Sequence, residues 1–420
     1  MRDNIITSID LGSSLVRCVI ADASSEVDGQ IRILGVGAVE SDGMRRGAVV
    51  DIVDAAEAIS VAVEKAEMMS NVQVKSAIVS IGGAGLTIES TKGVVAIGRA
   101  DGEVTEDDVT RVINAAQSIV VPANKEIIHV IPRSFRLDDQ KDINDPIGLQ
   151  GVRLEVDAVV VEAPGNHVKN LTHAMERADI TVEDFIIEPL AAAESVLTKK
   201  QKELGVVLVN LGASTTSLAV FEEGELVYTA IVPIGSDFIT NDIAIGLRTS
   251  IDTAERVKFE YGSAILDQAS QRSKIDLSQI DPREDGEIPH SHVIEIIEAR
   301  LEEIFELVQK ELRSIGKDQL LPAGAILTGG GVNLPRVAEF AKRKLRLPVQ
   351  IGRPENLLGV MDKVDDSSYA TVVGLILWAM DDIHYSGGRN KFTSGILGAV
   401  SGGAKSSVKN VGSWLGKFLP

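Results

Sequence analysis

A single cysteine, Cys18, serves all 420 residues, so no disulfide can form within the chain and a reducing cytosol is the expected setting. Aromatic residues are almost as scarce. At 4% they supply too few stacking platforms for a carbohydrate or single-stranded nucleic-acid surface. The net charge of −19 argues separately against nucleic acid, because a phosphate backbone would be repelled. Long hydrophobic runs are also missing: the longest, Tyr369 to Met380, is too short to span a bilayer and reads as a buried helix. The N-terminus leads straight into a strand, with no signal peptide expected. Acidic residues stop at Asp382. Beyond it Arg389, Lys391, Lys405, Lys409 and Lys417 put +5 on the tail and leave −24 on the rest, the pattern of an acidic body with a basic arm.

What the chain does have is Val, Ile, Ala and Gly. It is 44% hydrophobic, as expected of an α/β protein, and long enough for two or more cores. A glycine turn occurs twice, about 200 residues apart. Ile9-Asp10-Leu11-Gly12-Ser13-Ser14 is the first copy, and Val209-Asn210-Leu211-Gly212-Ala213-Ser214-Thr215-Thr216 is the second. Apolar runs enter and leave each, predicting β-hairpins whose tight turns present backbone N–H groups and small hydroxyls, a shape suited to phosphate. A third glycine element, Gly329-Gly330-Gly331, follows the predicted strand Ala325 to Thr328. Missing side chains there let a flat purine or ribose approach the backbone.

Between these landmarks the pattern predicts helices and buried strands. A helix capped by Asp51 or Asp54 runs to about Met69, followed by a strand at Ala77 to Ile81. A unit at 83–162 reads as an insertion, with a helix near Asp107 to Ser118. Further helices are predicted at 166–178, Pro189 to Leu197, Ser236 to Gly246 and Thr253 to Tyr261, with a strand at Val182 to Ile187. From His292 to Arg313 apolar residues recur at helical spacing, giving a long amphipathic helix. Residues 381–404 are rich in Gly and Ser and read as a linker. Two similar halves, each a glycine hairpin plus helices and strands, suggest a duplicated fold with a cleft between lobes.

The order hairpin, hairpin, triple glycine resembles the superfamily of actin, heat-shock chaperone ATPases and sugar kinases, and more closely the bacterial FtsA family of cell-division proteins. Ile187-Glu188-Pro189-Leu190-Ala191-Ala192 and Tyr369-Ala370-Thr371-Val372-Val373-Gly374 are similar to the two helices that connect the lobes. Ile234-Gly235-Ser236 with Thr240-Asn241-Asp242-Ile243-Ala244 resembles the stretch after the second hairpin. His129-Val130-Ile131-Pro132 and Asn144-Asp145-Pro146-Ile147-Gly148-Leu149 resemble the FtsA-specific subdomain. The implied architecture is a two-lobed, duplicated actin-like (ribonuclease H-like) ATPase fold with an inter-lobe nucleotide cleft and an FtsA-type inserted subdomain. Lobe 1 would comprise 1–82, 163–202 and 364–382, with 83–162 inserted. Lobe 2 would comprise 203–242 and 314–363, with 243–313 as a partner-binding subdomain, 383–404 as linker and 405–420 as a membrane helix.

The resemblance implies that ATP is held by Gly12, Ser13, Ser14, Gly212, Ala213, Ser214, Thr215 and Thr216 at its phosphates. Gly329, Gly330 and Gly331 would contact the nucleoside, Glu255 and Lys258 would reach ribose or base, and Asp10 would order Mg²⁺ through waters. Relatives usually carry Asp where Asn210 stands, Gly at Ala213 and Ser214, Asp at Ser217, and often Lys at Leu15. Asn supplies no charge to order Mg²⁺ or polarise water, so weak or absent hydrolysis is expected. The same substitutions count against a sugar kinase, which needs a carboxylate base. A heat-shock chaperone would need a substrate domain, and a pilus-assembly homologue would not be expected to end in a linker and amphipathic helix.

In the tail, Val408, Val411, Trp414, Leu415, Phe418 and Leu419 fall at helical spacing, within an arc of roughly 140° at about 100° per residue, with Lys405, Lys409 and Lys417 opposite. A helix over 408–419 is about 18 Å long against a hydrocarbon core of about 30 Å, so it would lie in the interface and favour anionic lipid. The resemblance adds self-association into filaments, downstream division proteins as partners, and a place on the cytoplasmic face of the membrane at the mid-cell septum. It also implies binding of the acidic C-terminal tail of FtsZ through Arg300 and Glu303, although from the residues alone Arg300 paired with Glu303 on one helix face is the simpler reading.

Overall fold

Each lobe is built on the same arrangement of five strands, a three-strand antiparallel meander whose first strand is extended by two parallel neighbours. A computed structural model describes residues 5–385 except 28–29, 84, 118–121 and 123. In the first lobe Ile5–Leu11, Leu15–Val27 and Gln30–Glu40 form the meander, and Ser76–Ile81 and Thr181–Ile187 add in parallel beside Ile5–Leu11. In the second, Val206–Leu211, Thr216–Glu222 and Glu225–Val232 form the meander, and Gly324–Thr328 and Val349–Ile351 add in parallel. The duplication expected from the two hairpins is therefore present strand for strand. Both first strands are buried almost throughout, which is why they read as continuous apolar runs rather than as alternation.

Small residues set how closely helices approach these sheets. The helix Ile52–Ser70, capped by Asp51 through bonds from Val53 N (2.8 Å) and Asp54 N (3.2 Å), lays Ala58, Ala62 and Ala66 against the first meander. A Cβ on Gly37 would fall 1.8 Å from the Ala62 carbonyl oxygen, so only glycine permits that contact.

Two helices cross between the lobes and position the cleft floor. Glu188–Val196 begins directly after the strand Thr181–Ile187, with Pro189 in its first turn, where a missing N–H costs nothing. Ala370–Tyr385 packs across it so tightly that a Cβ on Gly374 would lie 1.7 Å from the Ala191 oxygen. Ser195 Oγ donates to the Ala370 carbonyl and Ser8 Oγ to the Val372 carbonyl, both at 2.7 Å. The last helix runs past residue 383, into the segment expected as linker.

Residues Thr87–Ala96, Arg153–Pro164, Lys125–Leu137 and Gln140–Ile143 form a separate antiparallel sheet, covered by the helix Glu106–Gln117, with its own core around Val112, Phe135 and Val156. The short strand Leu357–Gly359 departs from expectation. It pairs in parallel with Gln30–Glu40 at the edge of the first lobe's sheet, although it falls within 314–363, the stretch expected in the second lobe. The helix Val337–Leu345 and the short helix Lys199–Leu204 are not marked by the sequence pattern described above.

Candidate functional site

The two hairpin turns and the triple-glycine turn line one cavity of about 340 Å³ between the lobes. The first turn is rigid on its inner side. Asp10, 8% exposed, accepts a 2.7 Å bond from Ser80 Oγ. Arg17 stands opposite it in hairpin register, with Nη1 3.8 Å from Asp10 Oδ2. Burial pushes the Asp10 carboxyl above its ordinary value, while the Arg17 charge and the Ser80 bond pull it back. Ser13 Oγ accepts from Gly47 N at 2.9 Å, and Ser14 is exposed at the tip. Gly12 has no room for a side chain, since a Cβ would sit 2.7 Å from the Leu15 carbonyl oxygen.

The second turn is held by its own backbone. Gly212 N donates to the Thr215 carbonyl at 3.0 Å, and Ser236 N and Asp237 N donate to the carbonyls of Gly212 and Ala213 at 2.9 and 2.8 Å. Ser214 Oγ reaches Asp237 Oδ2 at 3.3 Å. Gly212, Ala213, Ser214 and Thr215 all face the cavity. Thr216 does not line it: its hydroxyl donates to the Ile234 carbonyl at 2.7 Å and the residue is wholly buried, because it occupies the first paired position of the returning strand. Its expected phosphate contact is therefore corrected to an internal bond that closes the turn.

At the floor, Asn210 Nδ2 donates to Glu188 Oε1 at 2.6 Å, with a longer approach to Thr371 Oγ1 at 3.4 Å. Burial, and secondly the nearby Asp10 charge, push the Glu188 carboxyl up to about 8. With Asn210 uncharged and Glu188 pushed towards its neutral form, Asp10 is the carboxyl of the floor with a cation, Arg17, beside it. The sequence pattern marks Glu188 only as part of a connecting helix. Its signal was present, since a carboxylate just before Pro189 sits where a buried strand turns into a helix.

The three glycines of the third element serve different ends. Gly329 has φ +89°, and a Cβ there would fall 2.2 Å from Asn210 Oδ1; one on Gly331 would strike Leu211 Cγ at 2.5 Å. A Cβ on Gly330 would meet nothing nearer than Ser368 Cβ at 3.8 Å, so its backbone opens onto the cavity. Gly329 and Gly331 are small for packing; Gly330 leaves space. Glu255 and Lys258 both line the cavity from the helix Ile251–Tyr261. Lys258 Nζ donates to Thr240 Oγ1 at 2.7 Å, and burial holds its pKa below the usual lysine value despite Glu255 and Asp237. Arg17, Ser80, Asp237, Asn333 and Ser368 line the cavity too and were not predicted.

Arg300 and Glu303 lie apart from the cavity, on the long helix His290–Ser314. Arg300 donates to Glu303 Oε2 and grips Asp242 with two nitrogens, one at 2.8 Å from Oδ1. Val408, Val411, Trp414, Leu415, Lys417, Phe418 and Leu419, with the linker beyond Tyr385, lie outside the described residues. Among the described residues no helix is long and apolar enough to cross a membrane.

Against known proteins, the model of the family "Cell division protein FtsA" matches residues 207–374, and that of the "SHS2 domain inserted in FTSA" matches residues 83–162. Cell division protein FtsA of Pseudomonas aeruginosa is 36% identical over 403 residues, covering 96% of this chain and 94% of its own length. That of Bacillus subtilis is 38% identical over 386 residues, covering 92% and 86%. Among solved structures, the PilM–PilN type IV pilus biogenesis complex aligns with a TM-score of 0.65 at 15% identity, covering 89% of this chain and 98% of that one. MreB5 of Spiroplasma citri bound to ADP aligns with a TM-score of 0.53 at 15% identity, covering 91% and 99%. At such identity these likenesses speak to the fold alone, which is two-lobed and actin-like.

Proposed function

Because the chain belongs to the FtsA family of actin-like cell-division proteins, we propose that its inter-lobe cavity binds ATP with Mg²⁺ and that the nucleotide sets the shape of a filament subunit. The observation that carries this reading is the convergence of both hairpin turns and the open Gly330 backbone on a single cavity. The residues fit the ligand. Small hydroxyls at Ser13, Ser14, Ser214 and Thr215 suit phosphate oxygens, and a buried Arg17 Nε has no hydrogen-bond partner among the described residues. No cluster of three or more acidic, histidine or cysteine side chains suited to a metal is found among the described residues. Mg²⁺ would therefore rest on Asp10 and on phosphate oxygens, a mode common for this ion. MreB5 of Spiroplasma citri, of similar fold, has been seen with ADP and with AMPPNP.

Hydrolysis in this reading is slow or absent. Bound Mg-ATP would supply the reactive phosphoryl group. At the floor Asn210 is an amide that cannot take a proton, and the Oε1 of Glu188 is tied to that amide. Titration of the full chain with Mg-ATP, followed by measurement of phosphate release, tests both parts. Stoichiometric binding with little turnover is expected. No binding would overturn the nucleotide reading, and robust turnover would overturn the reading of slow or absent hydrolysis.

Around the nucleotide-set subunit we place the family's remaining parts. Filaments of this chain tether FtsZ through its acidic C-terminal tail at Arg300 and Glu303. The basic amphipathic helix 405–420 holds them on anionic lipid at the cytoplasmic face of the membrane, at the division septum. Downstream division proteins bind the assembled array. A short helix binds lipid marginally alone, and a polymer presenting many copies gains avidity.

A further inference from the structure

Between the first lobe's meander and its first helix the chain makes a two-residue turn at Arg46-Gly47, with φ positive at both positions (+52° and +75°). We infer that Arg46 and Phe238 form a latch between the lobes, outside the nucleotide cavity, that holds the two glycine turns at a fixed spacing. The inference deepens the nucleotide reading above and rests on it for its effect on phosphate binding.

Each end of the latch is fastened to one turn. Gly47 N donates to Ser13 Oγ at 2.9 Å, so the residue beside Arg46 is tied to the first turn. A Cβ on Gly47 would fall 2.6 Å from Gly83 N, and that close approach seats the Arg46-Gly47 loop on the first lobe. On the other side Asp237 N donates to the Ala213 carbonyl at 2.8 Å, and Asp237 Oδ2 accepts from Ser214 Oγ at 3.3 Å. Phe238 therefore follows directly from a residue tied to the second turn. Gly47 and Asp237 line the cavity, whereas Arg46 and Phe238 do not.

The two side chains meet between the lobes. Arg46 Cζ lies 6.0 Å from the centroid of the Phe238 ring, at the reach of a cation–π contact. Arg46 is exposed and forms no ion pair among the described residues, although the chain carries 61 acidic residues against 42 basic ones. The ring is the partner its guanidinium has. Phe238 is half-buried against the second lobe's core, and Arg300 Cζ stands 5.7 Å from the same ring. Arg300 is itself bonded to Asp242, so the ring is braced from within its own lobe. Phe238 thus moves with the second lobe and Arg46 with the first.

A latch at this place acts on phosphate rather than on nucleoside. The triple-glycine turn, Glu255 and Lys258 all lie on the second lobe's side of the cavity, whereas a polyphosphate has to meet both hairpin turns. Turns already held at the right spacing need no ordering by the ligand. Losing the latch lowers the population of the closed arrangement and weakens apparent affinity in proportion.

The test uses the full chain with spin labels on Met68→Cys and Ile245→Cys, exposed positions one on each lobe; Cys18 is buried and stays unlabelled. Label-to-label distances, Mg-ATP affinity and adenosine affinity are measured in the otherwise wild-type chain, Arg46→Gln, Phe238→Leu and the double variant. Without nucleotide, Arg46→Gln should broaden the distances, and saturating Mg-ATP should restore them. Its Mg-ATP affinity should fall about 2- to 5-fold, the scale of one exposed cation–π contact, with adenosine affinity unchanged. The double variant should be no weaker than Phe238→Leu alone. Unaltered distances in nucleotide-free Arg46→Gln overturn the inference, as does an equal loss for ATP and adenosine or a further loss in the double variant. Failure of the wild type to bind Mg-ATP removes the nucleotide reading, while the distances still decide the latch.

Discussion

Asn210 Nδ2 donates to Glu188 Oε1 at 2.6 Å across the floor of the cleft, joining the second hairpin to the first residue of an inter-lobe helix. The amide does more than lack a charge. It supplies a donor to a buried carboxyl that has few other ways to be satisfied, with Ser217 Oγ a longer 3.4 Å away. An aspartate at this position would remove that donor and set two carboxyls against each other. Asn210→Asp alone is therefore expected to be less stable than wild type, and more so at pH 8.5 than at pH 6, where one shared proton relieves the repulsion. Thermal melts at both pH values check this. Adding Glu188→Gln should recover most of the loss.

The same carboxyl makes the wild type pH-sensitive. Its folded pKa of about 8 lies above the unfolded value near 4.5, so the folded state holds an extra proton between them. Stability from this group is present below about pH 4.5 and declines as pH rises towards 8. Glu188→Gln should flatten this decline, melting higher than wild type at pH 8.5 and close to it at low pH. A parallel pH profile for the two proteins would contradict the assignment.

Thr216 separates the structural part of the second turn from its binding part. Its hydroxyl is bonded to Ile234 and faces away from the cavity. Thr216→Val should cost about 1 kcal/mol of stability through the orphaned carbonyl while leaving Mg-ATP affinity within about twofold. Denaturant unfolding and ATP titration on the same samples would show the split.

Much of this arrangement was legible because it is local. Both hairpins announce themselves through glycine turns between apolar runs, and the Asp51 cap through its position before an alanine-rich face. Arg17 is legible in the same way, since the register of a tight turn places it opposite Asp10, seven residues earlier. Other features depend on contacts distant in sequence. Leu357–Gly359 is three residues long and pairs with a strand more than 300 residues earlier, so no local period marks it. Likewise Asn210 and Glu188 meet only after a helix and two sheets have packed, and the motif that names Asn210 does not reveal its partner.

Gly374 reads in sequence as one small residue in an apolar helix, and in the structure it is where the two inter-lobe helices touch. Because a Cβ there would lie 1.7 Å from the Ala191 oxygen, even Gly374→Ala must push the helices apart. The expected cost is about 1–3 kcal/mol or more, appearing as a lower melting temperature and, since these helices carry the cleft floor, as weaker nucleotide binding. Leu375→Met, a volume-conserving change in the same buried helix, should be tolerated by comparison.

Arg300 offers a test of partner binding that a simple charge reversal does not. Arg300→Glu should abolish binding of an acidic tail peptide. It would also set a carboxylate against Asp242 and Glu303, so loss of binding could reflect damage to the helix pair. Asp242→Asn separates the two effects. It keeps the shape of the contact and weakens its hold on the guanidinium, freeing Arg300 for a carboxylate on the incoming peptide. If Arg300 anchors that peptide, Asp242→Asn should raise peptide affinity several-fold, an effect lost when Arg300→Gln is added. Unchanged affinity in Asp242→Asn together with normal affinity in Arg300→Glu would remove Arg300 from the interface and leave it as a brace between Asp242 and Glu303.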